Sequence, residues 1–273
     1  MSRYGQMFAR TRGGGAFGGF VMLGDPDLET TAAVLDAIVE GGADMIEVGI
    51  PFSDPIADGP TIQAAADRAL AQGVTPADCF AVLAAFRERH PAVPVGVLTY
   101  ANLVLARGRD SFYRAAADAG VDSVLVADVP VLEAPPFAAA ARAAGVAPVL
   151  IAAPNTPRAT LAKLARLGGG YTYCVARAGV TGAETEMKLG HAELFAALEE
   201  YGAPPPVLGF GISRPAHVRE AIAAGAAGVI SGSAIVRLLH GEADPLPALR
   251  RFVAAMKEAA MSDTGQLLSA SAQ

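Results

Sequence analysis

Lysine is the scarcest charged residue of this chain, with only Lys163, Lys188 and Lys257 in 273 positions. None falls at the end of a predicted strand, where an imine-forming amine would have to stand, and this argues against Schiff-base chemistry. Histidine is almost as sparse. His90, His191, His217 and His240 all lie in helical stretches or their flanks, and no two have metal-ligand spacing, so no zinc or iron site is expected. They read as surface or helix-end residues. Cys79 and Cys174 are the only cysteines, one in a helical pattern and one in a strand pattern, and are expected to be buried thiols rather than a disulfide. No apolar run reaches the roughly 18 residues of a membrane span. The N-terminal Met1-Ser2-Arg3-Tyr4-Gly5-Gln6 lacks the apolar core of a signal peptide, and a cytoplasmic protein is expected. A net charge of −6 gives no basic face for nucleic acid. No nucleophile elbow is present, and Ser53 and Ser233 have no evident histidine partner.

What the chain does have is alternation. Strand-like apolar runs occur at Gly18–Leu23, Asp44–Gly49, Pro94–Leu98, Ser123–Ala127, Ala147–Ala152, Tyr171–Ala176, Pro206–Gly209 and Gly228–Ser231. Between them lie Ala-rich amphipathic stretches at Leu28–Glu40, Ile62–Gln72, Pro76–Arg89, Ser111–Ala119, Glu133–Ala144, Pro157–Leu167, His191–Tyr201 and Pro215–Ala224, with a last one at Asp244–Ala260. Eight strands, each followed by a helix, imply a parallel sheet, and apolar residues throughout imply strands buried on both faces. At this length the pattern predicts a single-domain α/β protein, a (β/α)8 TIM barrel over residues 1–260, with a mobile polar tail at 261–273. A doubly wound open sheet is the rival, weakened because no G-x-G-x-x-G follows the first strand.

The most informative segment is Ile46–Gln63. Glu47 stands inside an apolar strand, which rarely holds a charge unless a site uses it. Asp58 follows in a Pro/Gly-rich loop just before a helical stretch, so the two carboxylates can converge on one small molecule. Gly209-Phe210-Gly211-Ile212-Ser213 follows the seventh strand, and Ser231-Gly232-Ser233 follows the eighth and opens a short helix. Glycines admit backbone N–H groups close to an anion, a helix N-terminus favours negative charge, and barrels often bind phosphate at these two units. Arg177–Glu184, with Gly179 and Gly182, suits a hinged lid or a static surface loop. With lysine and metal set aside, two carboxylates and a phosphorylated substrate remain. A carbon–carbon bond can break there if the substrate supplies its own electron sink, as an indole protonated at C3 does.

Ile46–Gln63 resembles the central motif of the tryptophan synthase α family of indole-3-glycerol-phosphate lyases. Tyr100–Leu103, Gly120–Pro130, Tyr171–Tyr173, Arg177–Glu184, Gly209–Ser213 and Ser231–Val236 resemble further blocks, so the likeness runs from about Tyr4 to Lys257. The resemblance implies cleavage of indole-3-glycerol phosphate to indole and glyceraldehyde 3-phosphate in tryptophan biosynthesis. It implies Glu47 as the acid–base residue, its pKa raised by burial, and Asp58 as the ionised carboxylate facing the indole N–H. Thr181 would meet Asp58 from the lid, and Tyr173 would pack near the catalytic carboxylate. Phe20, Ile62, Leu98, Tyr100 and Phe210 would line the indole pocket, and Gly182, Gly211, Gly232 and Ser233 would bind phosphate. No cofactor is implied in this chain. The family's partner is a pyridoxal-phosphate β subunit in an α2β2 heterotetramer, and Asp54, Asn102 and Pro130 would face it. Gly19 and Met22 depart from the family's usual proline and threonine; they are expected to loosen the entry of the first strand and to disturb how Asp58 is held. A stand-alone lyase and a weakly catalytic regulatory module of the β subunit are the alternatives.

Overall fold

The structure, a computed structural model, describes residues 1–175, 191–241 and 244–261. Its strands are β1 (Ala16–Met22), β2 (Met45–Gly49), β3 (Val95–Thr99), β4 (Ser123–Val126), β5 (Ala147–Ala152), β6 (Thr172–Cys174), β7 (Pro206–Leu208) and β8 (Gly228–Ser231). All pair in parallel and in chain order, and β1 also pairs with β8 from Ala16↔Gly228 to Gly19↔Ser231, which closes the barrel and removes the open-sheet alternative. The helices are α1 (Arg3–Arg10), α2 (Leu28–Glu40), α3 (Pro60–Ala71), α4 (Pro76–Arg89), α5 (Ala101–Leu105), α6 (Arg109–Asp118), α7 (Pro135–Ala143), α8 (Arg158–Leu167), α9 (His191–Glu200), α10 (Pro215–Ala223), α11 (Ser233–Gly241) and α12 (Pro245–Met261). Of the tail expected at 261–273, Met261 still belongs to α12, while residues 262–273 and the lid segment 177–184 lie outside the described residues. Among the described residues, no single helix is long and apolar enough to cross a membrane.

Side chains of a strand alternate between faces, and here the alternation sorts them into two cores. Phe17, Val21, Ile46, Val48, Val95, Val97, Val124, Cys174, Leu208 and Val229 pack outward against the helices. Phe20, Met22, Met45, Leu98, Leu125, Val149, Tyr171, Tyr173, Val207 and Ile230 fill the barrel interior. Glu47, two residues on from Met45, shares its inward face. Cys79 and Cys174 are buried and free, as expected, and burial pushes the Cys79 thiol up to about 12.

Helix α1 has no counterpart in the sequence reading. It closes the N-terminal mouth of the barrel with Tyr4 and Met7, and the Tyr4 and Ser123 hydroxyls share a 2.8 Å hydrogen bond. His191 also differs from expectation: it opens α9 but is buried, its ring 5.8 Å from that of Phe195.

The same end of the barrel is tied by Asp122. Its carboxylate accepts from Arg3 Nη1 at 2.9 Å, Arg87 Nη2 at 2.7 Å and the Val95 N–H at 2.8 Å. Arg87 also donates to the carbonyls of Gly120, His90 and Val93, so one guanidinium joins α4 to the turns before β3 and β4. Asp122→Ala leaves Arg87 half-buried without its counter-charge. Urea denaturation is expected to show a loss of roughly 3 kcal/mol; a loss under about 1 kcal/mol would mean the pair behaves as an exposed one.

Candidate active site

Strand β2 carries Glu47 into the barrel interior, where it is 1% exposed. Tyr171, at the entry of β6, donates its hydroxyl to Glu47 Oε1 at 2.7 Å. Oε2 is buried and has no hydrogen-bond partner among the described residues. Burial raises the Glu47 pKa to about 7; the Tyr171 bond opposes the rise and the charge of Asp58 adds to it. The carboxyl is therefore able to give and take a proton near neutrality.

Asp58 sits in the loop between β2 and α3. Its N–H closes a turn onto the Pro55 carbonyl, Gly59 caps α3 and Pro60 opens it. Tyr100, at the end of β3, donates its hydroxyl to Asp58 Oδ2 at 2.8 Å and accepts from the Ala57 N–H at 3.2 Å. The Tyr100 ring stacks on Phe52 at 5.1 Å. Burial raises the Asp58 pKa to about 6, and the Tyr100 bond limits the rise. Tyr100 was expected as a pocket wall; its hydroxyl does the more specific work of holding a carboxylate.

Phe20, Ile62, Leu98, Tyr173 and Phe210 gather in one apolar cluster with Met22, Leu125 and Tyr171. Tyr173 donates to the Gly209 carbonyl at 3.2 Å and meets Phe210 edge-on at 5.8 Å. A Cβ on Gly209 would fall 2.0 Å from Tyr173 Cζ, so glycine there lets the loop lie on the ring. Gly211 has φ +78°, a conformation glycine adopts freely. Gly232 lies against Phe20, with a built Cβ 3.3 Å from its ring, and Ser233 opens α11. The Ser231 hydroxyl donates to the Ile212 carbonyl at 2.6 Å and joins the two glycine loops. The expected phosphate residues Gly211, Gly232 and Ser233 thus share the mouth that holds the carboxylates. Thr181 and Gly182 lie outside the described residues.

Asp54, Asn102 and Pro130 are exposed on the consecutive connections after β2, β3 and β4. The two departures act locally. A Cβ at Gly19 would fall 2.9 Å from Ile38 and 3.1 Å from Ile235, so helices α2 and α11 fill that space and the strand is not loosened. Met22 lies over Gly49 beside Phe20, where a built Cβ would meet Met22 Cε at 2.8 Å, while Tyr100 holds the Asp58 carboxylate. Tyr171 was quoted in a motif but given no role. Its two-residue spacing from Tyr173 was the available signal, since that spacing puts both on one face.

Residues 8–263 match the family described as tryptophan synthase alpha chain. The chain belongs to that family. The tryptophan synthase alpha chain of Shewanella amazonensis is 54% identical over 265 residues, covering 95% of this chain and 100% of its own length. That of Escherichia coli is 53% identical over 268 residues, covering 96% and 100%. A chain of Mycobacterium tuberculosis tryptophan synthase superposes with TM-score 0.86 at 33% identity, covering 95% of this chain and 98% of its own. A chain of the tryptophan synthase a2b2 complex of Pyrococcus furiosus gives 0.81 at 34% identity, covering 89% and 98%. The tryptophan synthase alpha family match spans all eight strands, so it covers both carboxylates and both glycine loops.

Both carboxyls bind their protons more tightly folded than unfolded. Their penalty is absent below the unfolded pKa values of 4.5 and 3.8 and grows as pH rises toward about 7 and about 6. Stability is expected to fall across that window. Glu47→Gln should remove a share on the order of 3 kcal/mol from the fall. Chemical denaturation at pH 4.5 and 7.5 measures it, and equal slopes in wild type and variant would contradict the assignment.

Proposed function

We propose that this chain cleaves indole-3-glycerol phosphate to indole and glyceraldehyde 3-phosphate, with Glu47 as acid and base and Asp58 as the counter-charge. The observation that carries this reading is the buried Glu47 carboxyl, with one oxygen held by Tyr171 and the other unpartnered among the described residues, beside a second carboxylate. Tyr171 donates to Oε1, so the transferable proton of neutral Glu47 belongs on Oε2. Glu47 gives that proton to indole C3. The positive charge spreads to the ring nitrogen, whose N–H donates to the Asp58 carboxylate. Glu47, now ionised, takes the proton of the side-chain hydroxyl next to the breaking bond. The O–H electrons form the aldehyde carbonyl, the carbon–carbon bond breaks, and its electrons return to the ring as indole leaves. Glu47 ends protonated, as it began. Gly211, Gly232 and Ser233 hold the phosphate in this reading, joined by Gly182 and, against Asp58, by Thr181. The chain itself needs no cofactor for these steps.

A partner fits the rim. Ile56 is 71% exposed, Leu132 70% and Leu105 48%, on the connections after β2, β4 and β3. Three exposed apolar side chains on adjacent connections, interleaved with Asp54, Asn102 and Pro130, favour a docking face over a free surface. The occupant we propose is the tryptophan synthase β subunit, which carries pyridoxal phosphate and receives the indole, in an α2β2 heterotetramer. This face favours the subunit over a stand-alone lyase.

Indole release from indole-3-glycerol phosphate, with and without a β subunit, tests both parts. Glu47→Gln should lower kcat by about 10²–10⁴-fold, and Asp58→Asn by about a hundredfold. Unaltered turnover in Glu47→Gln would end the acid–base role. Strong activation by the β subunit is expected; full activity without it would favour the stand-alone enzyme, and binding without turnover a regulatory module.

A further inference from the structure

The loop after β7 has three carbonyls held by side chains of three different elements. Tyr173 holds that of Gly209, Ser231 holds that of Ile212, and His217 of α10 lies with Nδ1 2.8 Å from that of Gly211. On its other side the ring takes the Arg214 Nε–H at Nε2, 2.6 Å away. The two contacts fix the tautomer. A guanidinium can only donate, so Nε2 carries the lone pair, and a carbonyl can only accept, so Nδ1 carries the proton. The Ser213 N–H and hydroxyl lie farther from Nδ1, at 3.4 and 3.5 Å, and do not compete with the carbonyl.

We infer that His217, steadied by Arg214, is a positioning residue for the phosphate end. Gly211 has φ +78° and, among the described residues beyond its chain neighbours, no atom within 4 Å of where a Cβ would sit, so their packing does not set its orientation. A free peptide at such a corner can turn over and present its carbonyl dipole to an anion. With the Gly211 carbonyl bonded to His217, the N–H of the same trans peptide, that of Ile212, points the opposite way. The Gly209, Gly211 and Ile212 carbonyls are each engaged by a side chain, which leaves the Ile212 N–H to meet an anion at the mouth. This inference rests on the phosphate assignment made above and goes beyond it, because His217 acts through the Gly211 peptide.

The probe is the phosphate ester of 3-(indol-3-yl)propan-1-ol, which lacks the reacting hydroxyl and binds without cleavage, compared with the phosphate-free alcohol. The chain contains no tryptophan, so indole fluorescence reports the ligand alone. His217→Ala should raise Kd for the ester and KM for the substrate about fivefold. It should leave kcat within about twofold and the alcohol's Kd unchanged. His217→Gln, whose amide can donate to the same carbonyl, should restore most of the loss. Arg214→Ala, at an exposed residue, should give the same pattern at about twofold and serves if His217→Ala folds poorly. Equal weakening of ester and alcohol, a fall in kcat at constant KM, or no change in either variant would overturn the inference. If the wild type binds ester no better than alcohol, the phosphate assignment fails and takes this with it. If Ser233→Ala erodes a clear preference for the ester while the His217 and Arg214 variants keep it, the phosphate site stands and His217 has no part in it.

Discussion

Among the described residues Glu47 Oε2 is buried without a hydrogen-bond partner, and the cost of keeping it so shapes the rest of the site. A second donor would relieve that cost. It would also hold the carboxylate ionised and draw the pKa back down, leaving a group with no proton to give. One donor, from Tyr171, fixes the side chain and leaves the acid near neutrality. The donor has to be dependable for this to work. Burial raises the Tyr171 phenol well above its usual range, and the Glu47 charge raises it further, so it remains a donor whenever Glu47 is ionised.

Asp58 solves a different problem with the same parts. It is also buried and also takes one phenolic hydrogen bond, but it lies on a loop rather than a strand and titrates lower, at about 6 against about 7. Near pH 7 the pair therefore favours an ionised Asp58 while Glu47 still holds a proton part of the time. Asp58 itself assists this division. The charge on Asp58 raises Glu47, so the group that ionises first makes its neighbour the better proton carrier. Two carboxylates with separated pKa values are what an acid–base step beside a developing cation requires.

The barrel was legible because it repeats. Short apolar runs alternating with amphipathic stretches recur eight times, and α2 and α4 have the expected boundaries because Asp27 and the Thr75–Asp78 capping box mark their starts. Helix α1 was not read, since it precedes the first strand and belongs to no repeat. The carboxylates were legible as charges out of place. Their partners were not. Tyr171 meets Glu47 across 124 positions of sequence, and Tyr100 meets Asp58 across 42. Strand spacing says which face a tyrosine occupies; it does not say which acid its hydroxyl reaches after closure. The same limit explains Gly19, read as a loosening and found to be packed by Ile38 of the next helix and Ile235 from the far end of the chain.

Glycine creates a tension at the opposite end of the site. The loops after β7 and β8 need it, because Gly209 lies on Tyr173, Gly211 is left-handed and Gly232 abuts Phe20. Yet glycine is the residue least able to hold a peptide still. The chain resolves this from outside the loops, through hydroxyls on β6 and β8 and an imidazole on α10 that bind the loop carbonyls. Precision at that end decides how firmly the substrate is seated for chemistry at the other. On the proposed reaction, phosphate and indole nitrogen are the two fixed points of the substrate, and C3 must come to rest against Oε2 between them. A phosphate held less firmly by those loops lowers the share of substrate seated with C3 against Oε2, a loss that falls on binding, while substrate once seated reacts at the same rate.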